Sequence, residues 1–291
     1  MITLTKNNYI QAYGCGNNFN VLINSIPNKF DNYYKESVFA AEEIYSMKQG
    51  NLNILYSGGV DSEYALSIFL KSGIPIHPVI IKLNPNYNAH DTDYAIKFCE
   101  DKNIKFTVID IDFDNFVTSG LMLNIAKEIN CSIYHRSATA YAAQQLDGTV
   151  LLGDGEPYIK LKDDGVWNIE IYQHDYAVAN YFKKHGIYGT PHFNRYSPEM
   201  MAAFLSDHRM IDLANNRVPG KLSSNSSKFI IYNRNGNLNI EERPKYHGYE
   251  KIETSKIFQD PSFNEIAVLS KSCDGIYSTN YFDFMKENNL C

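Results

Sequence analysis

Asn53-Ile54-Leu55-Tyr56-Ser57-Gly58-Gly59-Val60-Asp61-Ser62 decides how this chain is read. The apolar run Asn53 to Tyr56 has the length of a buried strand. After the glycines, Ala65, Ile68 and Phe69 fall at helical spacing, as do Leu66 and Leu70, until Gly73 stops the helix. A helix N-terminus presents unpaired N–H groups and the positive end of a dipole, so it attracts phosphate. Glycines let the backbone approach an anion closely. Ser57 and Ser62 can donate hydroxyl hydrogen bonds to its oxygens. Asp61 would repel phosphate unless a cation intervenes, which points to Mg2+. No lysine follows the glycines, so the loop is neither Gly-x-x-x-x-Gly-Lys-Ser/Thr nor Gly-x-Gly-x-x-Gly. A lone Gly-Gly would read as a tight turn with Asp61 capping a helix. The full hexapeptide between a strand and a helix favours phosphate binding.

On the N-terminal side, Asn20 to Asn24 suits a strand broken by Pro27-Asn28, and Tyr33 to Met47 suits a helix ended by Gly50. On the other side, Val79-Ile80-Ile81 reads as a strand. A helix capped by Asp91 or Thr92 then carries Tyr94, Ala95, Phe98 and Cys99 on one face. Phe106, Val108 and Ile109 mark a third strand. Val117, Leu121, Ile125 and Ile129 mark a helix, and Ser137 caps another. Thr149 to Leu152 is a fourth strand, running into Gly153-Asp154-Gly155-Glu156-Pro157. This alternation predicts an α/β fold with a doubly wound parallel sheet. Ligands in such sheets sit beyond the carboxyl ends of the strands, where both glycine segments lie.

Beyond Pro157 the pattern changes. Tyr158 to Leu161 and Val166 to Ile169 read as a hairpin about Asp164-Gly165. Helices are expected from Ala177 to Lys184, from Ser197-Pro198, from Asn264 to Ser270 and from Tyr281 to Glu287. Asn215 to Lys256 reads as loop. The expected organisation is an N-terminal extension packing on the core (1–50), a nucleotide-binding domain (51–157) and a mainly helical C-terminal substrate or cap region (158–291).

Composition excludes other classes. With 44% hydrophobic and 21% charged residues the chain is an ordinary globular one. Its net charge of -6 gives no overall basic footprint for nucleic acid. The five cysteines are scattered and form no Cys-x-x-Cys pair, which argues against a disulfide framework and a zinc ribbon. No apolar run is long enough to cross a bilayer and no signal-peptide pattern is present, so no membrane association and a cytoplasmic location are expected.

The hexapeptide Ser57 to Ser62 resembles the signature of the PP-loop (N-type) ATP pyrophosphatases, or adenine nucleotide alpha hydrolases, with their HUP-like fold. The resemblance covers Leu52 to about Tyr158. It implies that Ser57, Gly58, Gly59, Val60, Asp61 and Ser62 hold the β and γ phosphates of ATP, which leave as pyrophosphate while AMP is transferred to a substrate. It implies that adenine is read by backbone groups around Ile81, Lys82 and Leu83. A narrower resemblance is to the synthetase domain of asparagine synthetase and β-lactam synthetase, whose Gly-x-Gly-x-Asp-Glu segment corresponds to Gly153-Asp154-Gly155-Glu156-Pro157. That implies a role for Gly153 in binding, and for Asp154 or Glu156 in holding Mg2+ with Asp61. Here the Asp-Glu pair is replaced by Glu156-Pro157. The glutamine-using relatives carry a nucleophilic cysteine after the initiator Met, where Ile2 stands. Nitrogen is then expected from free ammonia, another amine or an ammonia-donating partner.

Arg136 suits the α phosphate or an acyl substrate, against a surface ion pair as the plain alternative. Lys245, within Arg243-Pro244-Lys245-Tyr246-His247-Gly248, competes with Lys228 and Lys221 for a role in stabilising charge on the adenylate and pyrophosphate. Solvated surface charge is the plain alternative for each. The leading expectation is an AMP- and pyrophosphate-forming synthetase acting on a carboxylate or amide oxygen of a small molecule. A tRNA- or nucleobase-modifying enzyme, with RNA bound along Lys221 to Lys256, and a non-catalytic ATP-binding module are the alternatives.

Overall fold

The computed structural model describes residues 10–243 and 250–290 apart from 25 and 28. A hairpin of β1 (Ile10–Tyr13) and β2 (Asn20–Ile23) leads into α1 (Tyr33–Met47), whose first turn is capped by the Asn32 side chain accepting from Lys35 N–H. Then come β3 (Leu52–Leu55), α2 (Val60–Lys71), β4 (His77–Asn84), α3 (Ala89–Asp101), β5 (Thr107–Asp112), α4 (Phe113–Thr118), α5 (Leu121–Ile129), α6 (Tyr134–Gln144) and β6 (Thr149–Leu152). The hairpin β7 (Tyr158–Leu161) and β8 (Trp167–Tyr172) precedes α7 (Ala177–His185), β9 (Gly189–Thr190), α8 (Pro198–Leu205), α9 (His208–Ala214) and α10 (Lys228–Asn233). The chain ends with α11 (Glu250–Glu253), α12 (Pro261–Cys273), β10 (Ile276–Asn280) and α13 (Tyr281–Glu287).

The core is a parallel five-stranded sheet of order β5-β4-β3-β6-β9. Side chains alternate across it with period two. Leu52 and Ile54 of β3 pack with Ala40, Ile44, Leu66 and Phe69 of α1 and α2. Leu55, Val150 and Leu152 pack with Ala143, Val178 and Phe182 of α6 and α7. Helices therefore cover both faces, as the doubly wound pattern requires. The chain runs outward from β3 to β4 and β5, then returns to place β6 on the other side of β3. That reversal opens a crevice at the carboxyl ends of β3 and β6, where ligands of such sheets sit.

Sequence boundaries shifted where local chemistry overrode periodicity. The helix expected to run from Val117 to Ile129 is two helices, because Gly120 takes a left-handed φ of 76° between them. The cap of α3 is Asn88 rather than Asp91 or Thr92. Ser137 lies buried inside α6, which starts at Tyr134. β9, beyond Pro157, completes the parallel sheet, and β10 adds to β7 and β8 in a three-stranded antiparallel sheet of order β10-β8-β7. The stretch read as loop contains α10. Four cysteines among the described residues are free thiols, Cys15 exposed and Cys99, Cys131 and Cys273 buried. No helix among the described residues is long and apolar enough to cross a membrane.

Candidate active site

The loop closes on itself through its serines. Ser57 Oγ lies 2.9 Å from Ser62 Oγ, Ser62 Oγ donates to Gly59 O at 3.0 Å, and Gly59 N–H donates to Ser57 Oγ at 3.2 Å. Gly59 is the N-cap of α2 and brings no side chain to occupy the N–H groups of the first turn. Gly58 has a φ of 86°, and a Cβ there would sit 2.1 Å from Asp91 O. Gly153, at the end of β6, lies against the loop from the other side: a Cβ there would fall 2.5 Å from Ser62 Cα and 2.8 Å from Asp61 O. Both glycines are sterically required. Gly153→Ala is accordingly expected to push β6 and the loop apart and destabilise the fold by about 1–3 kcal/mol, the cost of a sub-van-der-Waals contact with backbone. Urea unfolding beside the wild type checks this, and an unchanged midpoint would show that the contact is relieved without cost.

Three segments brace the loop. Asn194, fully buried, donates from Nδ2 to Gly153 O at 2.6 Å and to Asp61 O at 3.4 Å, tying both glycine segments together. Arg243 donates to Gly58 O and to the Glu63 carboxylate, with its guanidinium 5.0 Å from the Tyr94 ring centre. Glu63 also accepts from Tyr56 Oη at 3.0 Å. The third brace is α10. Lys228 and Tyr232, four residues apart on one helix face, both reach Asp61: Nζ to one carboxylate oxygen, the phenol to the other at 2.6 Å. Tyr232 is fixed by stacking on Tyr64 of α2, ring centroids 4.2 Å apart.

The structure thus gathers Asp61, Glu156 and Lys228. The ammonium of Lys228 lies between the two carboxylates, with Glu156 Oε1 at 2.7 Å. Burial works against its charge, but Asp61 and Glu156 outweigh it and raise the pKa, so Lys228 is a cation. Burial first, and then the Asp61 charge, push Glu156 up from the usual carboxylate range to about 7, against the pull of Lys228. A carboxyl whose folded pKa is raised favours the native state most below its unfolded pKa. That contribution is lost as pH rises through the folded value. Native stability should therefore decline across roughly pH 4.5 to 7 on account of Glu156. Glu156→Gln should flatten this segment of a stability-against-pH curve measured by urea unfolding; an unchanged slope would show that Glu156 does not titrate there.

Asp154 turns instead to Arg136, which donates to it. Burial disfavours the Asp154 charge, yet Arg136 holds its pKa below the usual range. Arg136 also faces Asp175 at 3.8 Å. His135 beside it is held neutral, its pKa lowered to about 3 by burial and then by Arg136. Asp61, Asp154 and Glu156 are therefore drawn to two different cations, and no cluster of three His, Cys, Asp or Glu side chains able to hold a metal occurs among the described residues.

Two cavities meet here. One of about 230 Å³ is lined by Ser57, Ser62, Ile81, Leu83, Arg136 and Gly153, among others. A second of about 260 Å³ is lined by Asp61, Glu156, Tyr158, Tyr172 and Asp175, and shares Arg136 and Asp154 with the first. Of the other residues singled out from the sequence, Lys82 does not line the first cavity, and Lys245 lies outside the described residues. Tyr232, Asn194, Asn88 and Glu63 were not anticipated. The Lys228/Tyr232 spacing and the polar run His192-Phe193-Asn194-Arg195 were the signals available, and both lie outside the glycine segments.

No protein-family model matches the sequence, and no curated protein is significantly similar to it. Among solved structures, the NMN synthetase from Francisella tularensis is similar, with 23% sequence identity and a TM-score of 0.32. The match covers 41% of this chain and 52% of that one, so it spans about half the length of the synthetase.

Proposed function

We propose that this protein binds ATP in the crevice between β3 and β6, cleaves it between the α and β phosphates, and activates a carboxylate or amide oxygen of a small acceptor as its adenylate. The observation that carries this reading is the Ser57–Ser62 loop at the start of α2: its two hydroxyls line a cavity that shares Arg136 and Asp154 with a second one. The triphosphate tail lies on the loop, where the hydroxyls of Ser57 and Ser62 exchange their mutual contact for phosphate oxygens. Arg136, at the junction of the cavities, faces the α phosphate. The acceptor occupies the second cavity, and its oxygen attacks the α phosphorus there. The bond from that phosphorus to the bridging oxygen breaks, and pyrophosphate leaves with the electron pair. Ammonia or an amine then attacks the activated carbon, AMP leaves, and the nitrogen gives up a proton. Catalysis on this reading is positioning and charge neutralisation.

Mg2+ bound to a triphosphate takes most of its ligands from phosphate and water and asks one or two carboxylates of the protein. Asp61 fits that demand: it stands at the first turn of α2 with 24% of its side chain exposed, and each oxygen keeps a lone pair beyond its bond to Lys228 or Tyr232. Glu156, on the far side of Lys228, is the second candidate. The ion would neutralise charge on the β and γ phosphates. Lys228 holds the Asp61 and Glu156 carboxylates in position through its hydrogen bonds to both.

Incubation with ATP, Mg2+ and pooled carboxylates and amines tests the reading, with products separated chromatographically. AMP and pyrophosphate are expected. Release of ADP and phosphate would refute the cleavage site, and recovery of bound, intact ATP would make the chain a binding module.

A further inference from the structure

β4 outruns its inner neighbour. β3 pairs with it only from His77 to Val79, and Tyr56 N–H makes the last contact, to Val79 O. β5 flanks β4 on the other side from Val79 through Asn84. Past Val79, β4 therefore presents an edge without a strand to the first cavity. The Asn88 carboxamide occupies that edge. Its Nδ2 donates to Ile81 O at 2.8 Å, and its Oδ1 accepts from Leu83 N–H at 2.8 Å. Asn88, Ile81 and Leu83 all line the cavity. Asn88 is the N-cap of α3, where an asparagine side chain ordinarily accepts from the first turn of its own helix. It makes no such bond here and places both its donor and its acceptor on the strand.

A carboxamide presents one donor beside one acceptor. A 6-aminopurine presents the same pair in the same order, the exocyclic amine beside the unprotonated N1. A 6-oxopurine presents it reversed, an acceptor oxygen beside N1–H, which would set acceptor against Ile81 O and donor against Leu83 N–H. We propose that the Asn88 carboxamide stands in for the nucleotide base at this edge, so that a 6-aminopurine binds by displacing it and a 6-oxopurine cannot replace its bonds. Asn88 then competes with the base for this edge: a base must outbid two hydrogen bonds already made, and the order of Ile81 O and Leu83 N–H lets only a 6-aminopurine remake them. The inference rests on the nucleotide reading of the site.

The test is equilibrium titration of the full chain with α,β-methylene-ATP and with its inosine counterpart. Wild type should prefer the adenosine analogue. Asn88→Ala, which removes the competitor, should bind the adenosine analogue about tenfold more tightly, the net worth of one or two neutral hydrogen bonds. The inosine analogue should change little, so the selectivity ratio widens. The backbone carbonyl of residue 88 still accepts from Thr92 N–H at 3.0 Å, which keeps the start of α3 in place. Asn88→Ser retains a capping side chain too short to span both groups and should tighten binding likewise. Weaker or unchanged adenosine binding in both variants, or a wild type indifferent to the base, overturns the inference while leaving the nucleotide site standing. Failure of wild type and variants alike to bind either analogue overturns the nucleotide reading as well.

Discussion

Asp61→Asn should abolish ATP–pyrophosphate exchange, by about two to three orders of magnitude, while leaving the fold intact. Removing one preorganised charge-stabilising group from a catalytic site typically has an effect of that size. The substitution keeps the shape of the side chain. Its amide oxygen can still accept from Tyr232, and Lys228 keeps Glu156 at 2.7 Å. What is lost is the negative charge at the start of α2, which the proposed site needs to hold a cation against the triphosphate. Ser62→Ala should act similarly, because Ser62 Oγ is the hydroxyl shared by Ser57 and Gly59 within the loop. The thermal midpoint should stay near that of the wild type in both. Exchange at the wild-type rate in either variant would disprove a phosphate-gripping role for the loop.

Lys228→Met should be the most destabilising single change in the site. The side chain is buried between Asp61 and Glu156, and removing one member of a buried charge group leaves the others uncompensated, at a cost of about 3–5 kcal/mol. For a chain of this size that corresponds to a fall in Tm on the order of 10 °C. Exchange activity should fall with it, since the altered charge lies against Asp61. A double variant, Lys228→Met with Glu156→Gln, removes one of the stranded carboxylates and should recover part of the lost stability. Thermal unfolding of the two proteins side by side decides the matter: an unchanged Tm in the single variant would mean that the charge group is solvated and carries no such penalty.

Much of the core was legible because its signals are local. The run Leu52 to Tyr56, the glycine pair and the apolar period of α2 sit within one supersecondary unit, and a strand–glycine–helix turn needs no distant partner to be recognised. The alternation of strands and helices up to Leu152 follows from burial on both faces of a sheet, which imprints apolar runs on each strand in turn. The break at Gly120 escaped, because apolar spacing continues across it while the backbone there turns left-handed.

The site was less legible the further its parts lie from the loop. Lys228 was one of several lysines open to an ordinary solvated role, and only the packing of α10 on Tyr64 distinguishes it, by burying its ammonium against Asp61. Asn88 reads as one more polar residue before a helix, and nothing in its neighbours shows that its amide turns to β4.

By itself the sequence determined the α/β alternation, the strand–glycine–helix turn and the residues Ser57 to Ser62 that shape it, because backbone conformation and short-range burial are written in adjacent residues. Only the tertiary structure decided which cation meets which carboxylate, and it assigned Asp61 and Glu156 to Lys228 and Asp154 to Arg136. The reason is physical: a buried charge selects its partner by distance and desolvation, and those are fixed by how helices far apart in the chain pack over the end of one sheet.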